Sequence, residues 1–355
     1  MAKIRIGIVG TGGMANAHAE HYKKIAGTQL VSCLDVVPGK AAEFAAKHGL
    51  THVAKDIHDL LQHVDAVSVV TPDRFHFQPS LEILKAGKHL LCEKPLTVTL
   101  EEARKVAAAA KKASGKGVIH MVNFSYRKSS AIYKAAEIIR SGKIGKLRHV
   151  SSSYLQSWLN GMWGGWEGMG AWRLQTSAGS GGALADIGCH ILDLTTAITG
   201  EPTRIRATMT ALPKITKKGE EVTKYEGVPL DANDSAVMEL EFPGGAIGVV
   251  QATRWATGHG NHLRFEANGT HGAVRLDLDK SYDELETCLG EDRITGKWTT
   301  LTLKPTPSNW ERFIKAIKTG KQDQPDVFRG AQVQAYLDGA FKSVASGKWE
   351  KIAKV

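Results

Sequence analysis

Residues 4–15 read Ile4-Arg5-Ile6-Gly7-Ile8-Val9-Gly10-Thr11-Gly12-Gly13-Met14-Ala15, and the order of their types decides the fold. Ile4 to Val9 is a short apolar run rich in β-branched residues, as expected for a buried strand of a parallel sheet. Gly10 to Ala15 follows at once as G-x-G-x-x-A, and a helical stretch runs on to about Ala26. Gly10 permits a tight turn, Gly12 lets a pyrophosphate approach the backbone, and small Ala15 lets the helix pack close to the sheet. Gly13 and Met14 complete the turn, where the helix N-terminus offers unpaired N–H groups and a partial positive charge to phosphates.

A second strand, Gln29 to Leu34, ends at Asp35, twenty positions after Ala15. A carboxylate there accepts hydrogen bonds from the ribose hydroxyls of a dinucleotide. The competing reading is a glycine-rich helix entry with a surface Asp, and the complete strand–turn–helix–strand context weighs against it. A carboxylate at Asp35 repels a 2′-phosphate, and Val36-Val37-Pro38 supplies no arginine to hold one. NAD is therefore favoured, while Lys40 is near enough to leave NADP open.

Strand and helix go on alternating. Val64 to Val70 reads as a strand ending in Thr71-Pro72, Phe77 to Ala86 as a helix stopped by Gly87, and Lys88 to Cys92 as a further strand. Glu93-Lys94-Pro95 closes that strand and puts a lysine at its carboxyl end, where open α/β sheets bind ligands. Thr99 to Lys112 is an alanine-rich helix with Glu101 and Glu102 near its positive end, and Val118 to Asn123 is a last strand. This alternation predicts a doubly wound parallel sheet covered by helices on both faces.

At 355 residues two domains are expected, and the boundary is set at 123, with 124–355 as the second domain. After a helix from about Ser130 to Ser141, the segments Leu147–Leu155, Thr203–Ala211, Ser235–Phe242, Ala246–Arg254, Leu263–Ala267 and Ala273–Leu278 read as strands. With few helices between them they predict an α/β domain with a large, mostly antiparallel, open sheet. Asn309–Lys318 and Gly330–Ser346 read as closing helices that pack back on the first domain. Lys214–Tyr225 is polar enough for a mobile loop.

The net charge of +10 comes from 46 basic and 36 acidic residues, but the lysines are scattered over helix faces and turns. No basic block or basic helix with interleaved aromatics is present, so nucleic acid is not an expected partner. No apolar run is long enough for a membrane span, and the first residues already form a core strand, so a cytoplasmic protein is expected. Cys33, Cys92, Cys189 and Cys288 lack C-x-x-C spacing and read as small buried hydrophobes. His259 and His262 flank Gly260 with no carboxylate nearby in sequence. They read as surface or loop histidines, and no metal site is expected.

A second constellation lies in Gly181-Gly182-Ala183-Leu184-Ala185-Asp186-Ile187-Gly188-Cys189-His190. A glycine-rich entry leads into a helix on which Asp186 and His190, four apart, share one face. An imidazole beside a carboxylate can take up and return a proton. A capping Asp and a satisfied core histidine account for the same residues equally well.

Taken together, Gly10 to Ala15, Thr71-Pro72 with His76, Glu93-Lys94-Pro95 and Asp186-x-Gly188-x-His190 resemble the glucose–fructose oxidoreductase/inositol dehydrogenase (Gfo/Idh/MocA) family over essentially the whole chain. The resemblance implies pyridine-nucleotide redox chemistry on a sugar, cyclitol or derivative, in a homodimer or homotetramer formed through the C-terminal sheet. Lys94, Asp186 and His190 would be its catalytic set, with His190 as base, Lys94 on the developing oxyanion and Asp186 on a neighbouring hydroxyl. The roles of Lys94 and His190 are interchangeable at this stage. Thr71, Pro72, His76, Glu93 and Lys94 would join the glycine turn and Asp35 around the cofactor.

Asn123, Tyr126 and Arg127 would be substrate contacts, as would Trp172 and Arg173. Trp158, Trp163, Trp166 and Trp172 crowd one glycine-rich segment, and indole faces suit sugar rings as well as they suit a buried interface. Two alternatives stay open: a redox-neutral enzyme that holds NAD and oxidises its sugar transiently, and a non-catalytic sensor. Regulators of this fold usually lose part of the Lys–His set, which is complete here.

Overall fold

The computed structural model describes residues 3–355, which divide into two compact units. The first is the chain up to Ser125 together with Pro307–Gln334, and the second is Tyr126–Thr306 together with Ala335–Lys354. The sequence reading set the boundary at 123 and packed the closing helices back on the first domain. The first unit runs to Ser125 and includes Pro307–Gln334, a late segment that completes its core.

In the first unit β1 (Ile4–Val9), α1 (Gly13–Lys24), β2 (Thr28–Leu34), α2 (Lys40–His48), β3 (His52–Val53), α3 (Ile57–His63) and β4 (Ala66–Val69) alternate. They are followed by α4 (Phe77–Lys85), β5 (His89–Cys92), α5 (Leu100–Ser114) and β6 (His120–Val122). The six strands pair in the order β3-β2-β1-β4-β5-β6, all parallel. The order reverses between β1 and β4, the place where such sheets open a crevice at their carboxyl ends. Ile6, Ile8, Tyr22 and Phe44 form a core with Trp310, Phe313 and Ile314 of the late segment.

The second unit opens with α6 (Ser130–Arg140) and β7 (Leu147–Leu155), then passes through short helical turns to α7 (Cys189–Thr199). The strands β8 (Arg204–Thr210), β9 (Ser235–Glu241), β10 (Ile247–Thr253), β11 (His262–Gly269), β12 (Gly272–Asp277), β13 (Glu284–Leu289) and β14 (Thr299–Thr302) follow. The chain closes with α8 (Asn309–Thr319) in the first unit, α9 (Val327–Ser346), which begins in the first and ends in the second, and β15 (Glu350–Lys351).

The nine strands pair in the order β14-β13-β12-β11-β7-β10-β9-β8-β15, antiparallel except where β10 meets β7. β13 and β14 escaped the sequence reading, because Glu284, Glu286 and the threonines of β14 interrupt the apolar pattern of an edge. Residues Lys214–Tyr225, expected as a mobile loop, instead contribute to two small hairpins. Lys214 is fully buried there, with Nζ 2.8 Å from Asp234 Oδ2. Among the described residues, no helix is long and apolar enough to cross a membrane.

Candidate active site

The carboxyl edge of the first sheet gathers most of the expected cofactor residues. Gly10 sits at φ +87°, and a Cβ there would stand 2.8 Å from the Thr71 backbone nitrogen, so no other residue fits. Beside Gly12 and Gly13 a Cβ would meet nothing within 4 Å. No side chain caps α1, which leaves its first N–H groups to a ligand. Ala15 is fully buried against the sheet and Met14 is exposed.

Asp35 accepts hydrogen bonds from Thr11 N at 2.8 Å, Thr11 Oγ1 at 2.7 Å and Val37 N at 2.9 Å, which ties the end of β2 to the glycine turn. Partial burial raises its pKa, but these bonds and the charge of Lys40 outweigh it and hold the carboxyl below its ordinary value. Asp35 is thus a fixed anion. An open glycine cradle at an uncapped helix start with an anion at the end of β2 fits the pyrophosphate and ribose of a dinucleotide.

β5 delivers Glu93 and Lys94 to the same edge. Glu93 is buried. Its Oε1 lies 2.9 Å from His18 Nε2 and accepts from Asn123 Nδ2 at 2.6 Å, while Oε2 accepts from the Lys94 backbone nitrogen at 3.3 Å. Burial pushes the Glu93 carboxyl up, and the bonds from His18 and Asn123 more than reverse this, to about 2. Asn309 of α8 in turn donates to Asn123 Oδ1 at 3.1 Å.

Two expectations change here. Asn123, expected to touch substrate, and Glu93, expected to touch cofactor, are spent on each other inside the protein. What they hold in place is Lys94, half-buried at the strand end ahead of a cis bond to Pro95. Thr71 lies two residues past the end of β4, and Pro72 is exposed beside it. His76 is buried with both ring nitrogens on backbone carbonyls, so it is no direct cofactor ligand.

In the second unit the segment expected as plain α-helix begins with a π-turn, Leu184–Gly188, before α7 takes over. Asn233 imposes that entry: its Oδ1 accepts from Leu184 N at 2.9 Å and its Nδ2 donates to Gly181 O at 2.8 Å. A Cβ on Gly182, at φ +67°, would meet Asn233 at 2.4 Å. Such widened turns recur at functional sites. Asp186 accepts from Arg254 Nη2 at 2.8 Å and keeps a third of its side chain exposed, whereas Arg254 is wholly buried over the Trp158 ring.

His190 is buried, with ring contacts to Tyr126 at 5.0 Å and Tyr154 at 6.0 Å. Tyr154 donates to Asn261 Oδ1 at 2.8 Å, so the 2.6 Å bond between the two hydroxyls is donated by Tyr126. Burial, then the Tyr126 hydroxyl, hold the Tyr154 phenol well above its ordinary pKa, so that phenol stays neutral.

Arg127, expected to touch substrate, forks onto Asp193 of α7 at 2.6 and 2.8 Å in the interior, a structural pair. Of the tryptophans, Trp158 and Trp166 are core residues, Trp163 is 47% exposed, and Trp172 is half-buried with the Arg173 guanidinium 4.3 Å above its ring. His262, expected at the surface without a carboxylate, is buried on β11 with Nε2 3.4 Å from Asp277 Oδ1. Its Nδ1 lies 2.6 Å from His259 Nδ1, a hydrogen-bond distance too short for two ligands of one metal ion.

Sequence reasoning missed His18, Arg254, Asn233 and Asn309. The signals were a polar residue on the apolar Ala15–Ala19–Tyr22 face of α1, and a cation closing an apolar strand.

The oxidoreductase family with an NAD-binding Rossmann fold matches residues 4–124, and the Gfo/Idh/MocA C-terminal domain matches residues 132–275. The chain belongs to the Gfo/Idh/MocA family. It is an NAD-dependent oxidoreductase. A levoglucosan dehydrogenase of Pseudarthrobacter phenanthrenivorans is 29% identical over the whole of both chains. A myo-inositol 2-dehydrogenase of Thermotoga maritima is 30% identical over 77% of this chain and 75% of its own. The solved structure of levoglucosan dehydrogenase with NADH and levoglucosan superposes with a TM-score of 0.84 at 28% identity, over 99% of this chain and all of that one.

Proposed function

We propose that this Gfo/Idh/MocA protein oxidises a carbinol carbon of a cyclic carbohydrate or cyclitol, or reduces the corresponding ketone, with Lys94, Asp186 and His190 as its catalytic residues. The observation that carries the reading is the Glu93 anchor. A buried carboxylate is committed to fixing the backbone of Lys94 on the edge that also carries the glycine cradle. The names of the relatives support the substrate class.

NAD, when bound, supplies the acceptor for the hydrogen and electron pair that the carbinol carbon loses. The remaining work falls to the protein. His190 takes the hydroxyl proton, because hydride loss with the proton retained would leave a high-energy protonated ketone. Lys94 donates to the same oxygen as negative charge develops on it. Asp186, its carboxylate oriented by Arg254, accepts from an adjacent hydroxyl and sets which carbon faces the cofactor. Trp172 and Arg173 line the substrate side.

The protein also forms homo-oligomers through the open face of the nine-stranded sheet, where Val237, Ile247 and Val249 are 46%, 56% and 39% exposed. Light scattering behind size exclusion reads the assembly, and a monomer would overturn it.

The deciding experiment is a panel of anhydrosugars, monosaccharides, sugar acids and inositols with NAD or NADP, read as reduced-nicotinamide absorbance. A cyclic polyol that yields NADH in step with product is expected. Product without NADH would replace the reading with a redox-neutral one, and preference for NADP would overturn the role of Asp35.

A further inference from the structure

We infer that His76 is a buried imidazolium clamp, a positioning residue whose two N–H groups lock the Thr71-Pro72 segment after β4 to the turn that carries Lys94. The inference rests on the catalytic reading of Lys94. His76 Nδ1 lies 2.8 Å from Pro95 O and Nε2 lies 2.8 Å from Thr71 O, and the ring is 1% exposed. A carbonyl oxygen can only accept. A neutral imidazole donates from one nitrogen alone, so its other lone pair would press against a carbonyl lone pair, both out of reach of water. The doubly protonated ring satisfies both contacts.

The surroundings favour the charge. Burial pushes the ring pKa down, but the Cys92 sulfur, the Asp73 carboxylate and the Pro95 carbonyl outweigh it and raise it to about 9. The sulfur itself accepts from Ser80 Oγ at 3.6 Å.

What the clamp joins gives it a function. Thr71 O belongs to the residue whose backbone nitrogen closes on Gly10, and Pro95 O belongs to the residue after Lys94. One ring therefore holds the Thr71-Pro72 segment and the catalytic lysine in register. Below the ordinary histidine pKa the clamp is complete in the folded protein, and it is lost as pH rises through about 9.

Nitrogen-15 labelling of the histidine rings tests the charge without turnover. Both His76 ring nitrogens are expected to carry protons at pH 7.5, and a neutral ring at that pH overturns the clamp. In steady-state assays His76→Gln, which donates from a single nitrogen, should lower kcat about tenfold or more while NAD affinity, read by fluorescence, changes by less than about threefold. It should also lose the pH limb near 9, and an unchanged limb overturns the clamp. Should that variant fail to fold, Cys92→Ala keeps both hydrogen bonds. It should move the limb to lower pH with kcat at pH 7 unchanged, and an unmoved limb counts against the clamp. Full turnover by Lys94→Ala would remove the catalytic reading even with the ring charged, and a neutral ring with an inactive Lys94→Ala would remove the clamp alone.

Discussion

Glu93 and Asp186 are both carboxylates gripped by a basic side chain, yet they serve opposite ends. Glu93, with a tenth of its side chain exposed, is enclosed by His18 and Asn123 and aims the residue that follows it. Asp186, a third exposed, is held by Arg254, so the pairing orients a carboxylate that still reaches solvent. On the proposed reading, burial separates a carboxylate that builds a site from one that works in it, and chemical type does not.

Substitutions can break or sharpen this contrast. The largest effect belongs to Lys94, the residue that Glu93 aims. Lys94→Ala should lower kcat by about 10²–10³-fold, worth about 2.7–4 kcal/mol of transition-state stabilisation, with an unchanged far-ultraviolet spectrum.

Glu93→Gln comes next, because the amide turns a donor toward donors. It should cost about 1–3 kcal/mol of stability in urea titrations. The wild-type contribution is fully present above the ordinary carboxyl pKa and disappears as pH falls through about 2, so acid unfolding should lose its dependence on this residue in the variant. If Glu93→Gln were as stable as the wild type and merely slow, Glu93 would join Asp186 as a working residue.

Asp186→Asn should cost on both counts. A fall in kcat/KM of about tenfold, or about 1.4 kcal/mol, should accompany a lowered thermal midpoint, because the change takes the counter-charge from buried Arg254. The smallest effect is expected from exposed Trp163, whose change to Ala should shift stability by no more than about 0.5 kcal/mol. A large loss of sugar affinity in that variant would instead make Trp163 a substrate-facing residue.

The sequence carried the first unit almost entirely, because β-branched strands, a glycine turn and an acidic strand end are local signals. Lys94, Asp186 and His190 could be proposed from the sequence because they too stand in local motifs. Asn123 and Arg127 were misread, since position near a motif says nothing about which way a side chain turns. The partners that decide it, Glu93 and Asp193, are set by packing. The π-turn was illegible because its cause, Asn233, comes from a distant loop. His262 was misread because its carboxylate neighbour lies on the next strand.

Trp310, Phe313 and Ile314 of α8 belong to the core that Ile6 and Ile8 begin. On the ribosome, at about 5–20 residues per second, the opening strands must wait for all of Tyr126–Thr306 to be made before that core can close. Until α8 emerges, the part of that core which it covers stays exposed on the nascent first unit. A gene cut after Ser125 would encode that same unfinished intermediate, a natural substrate for holding chaperones.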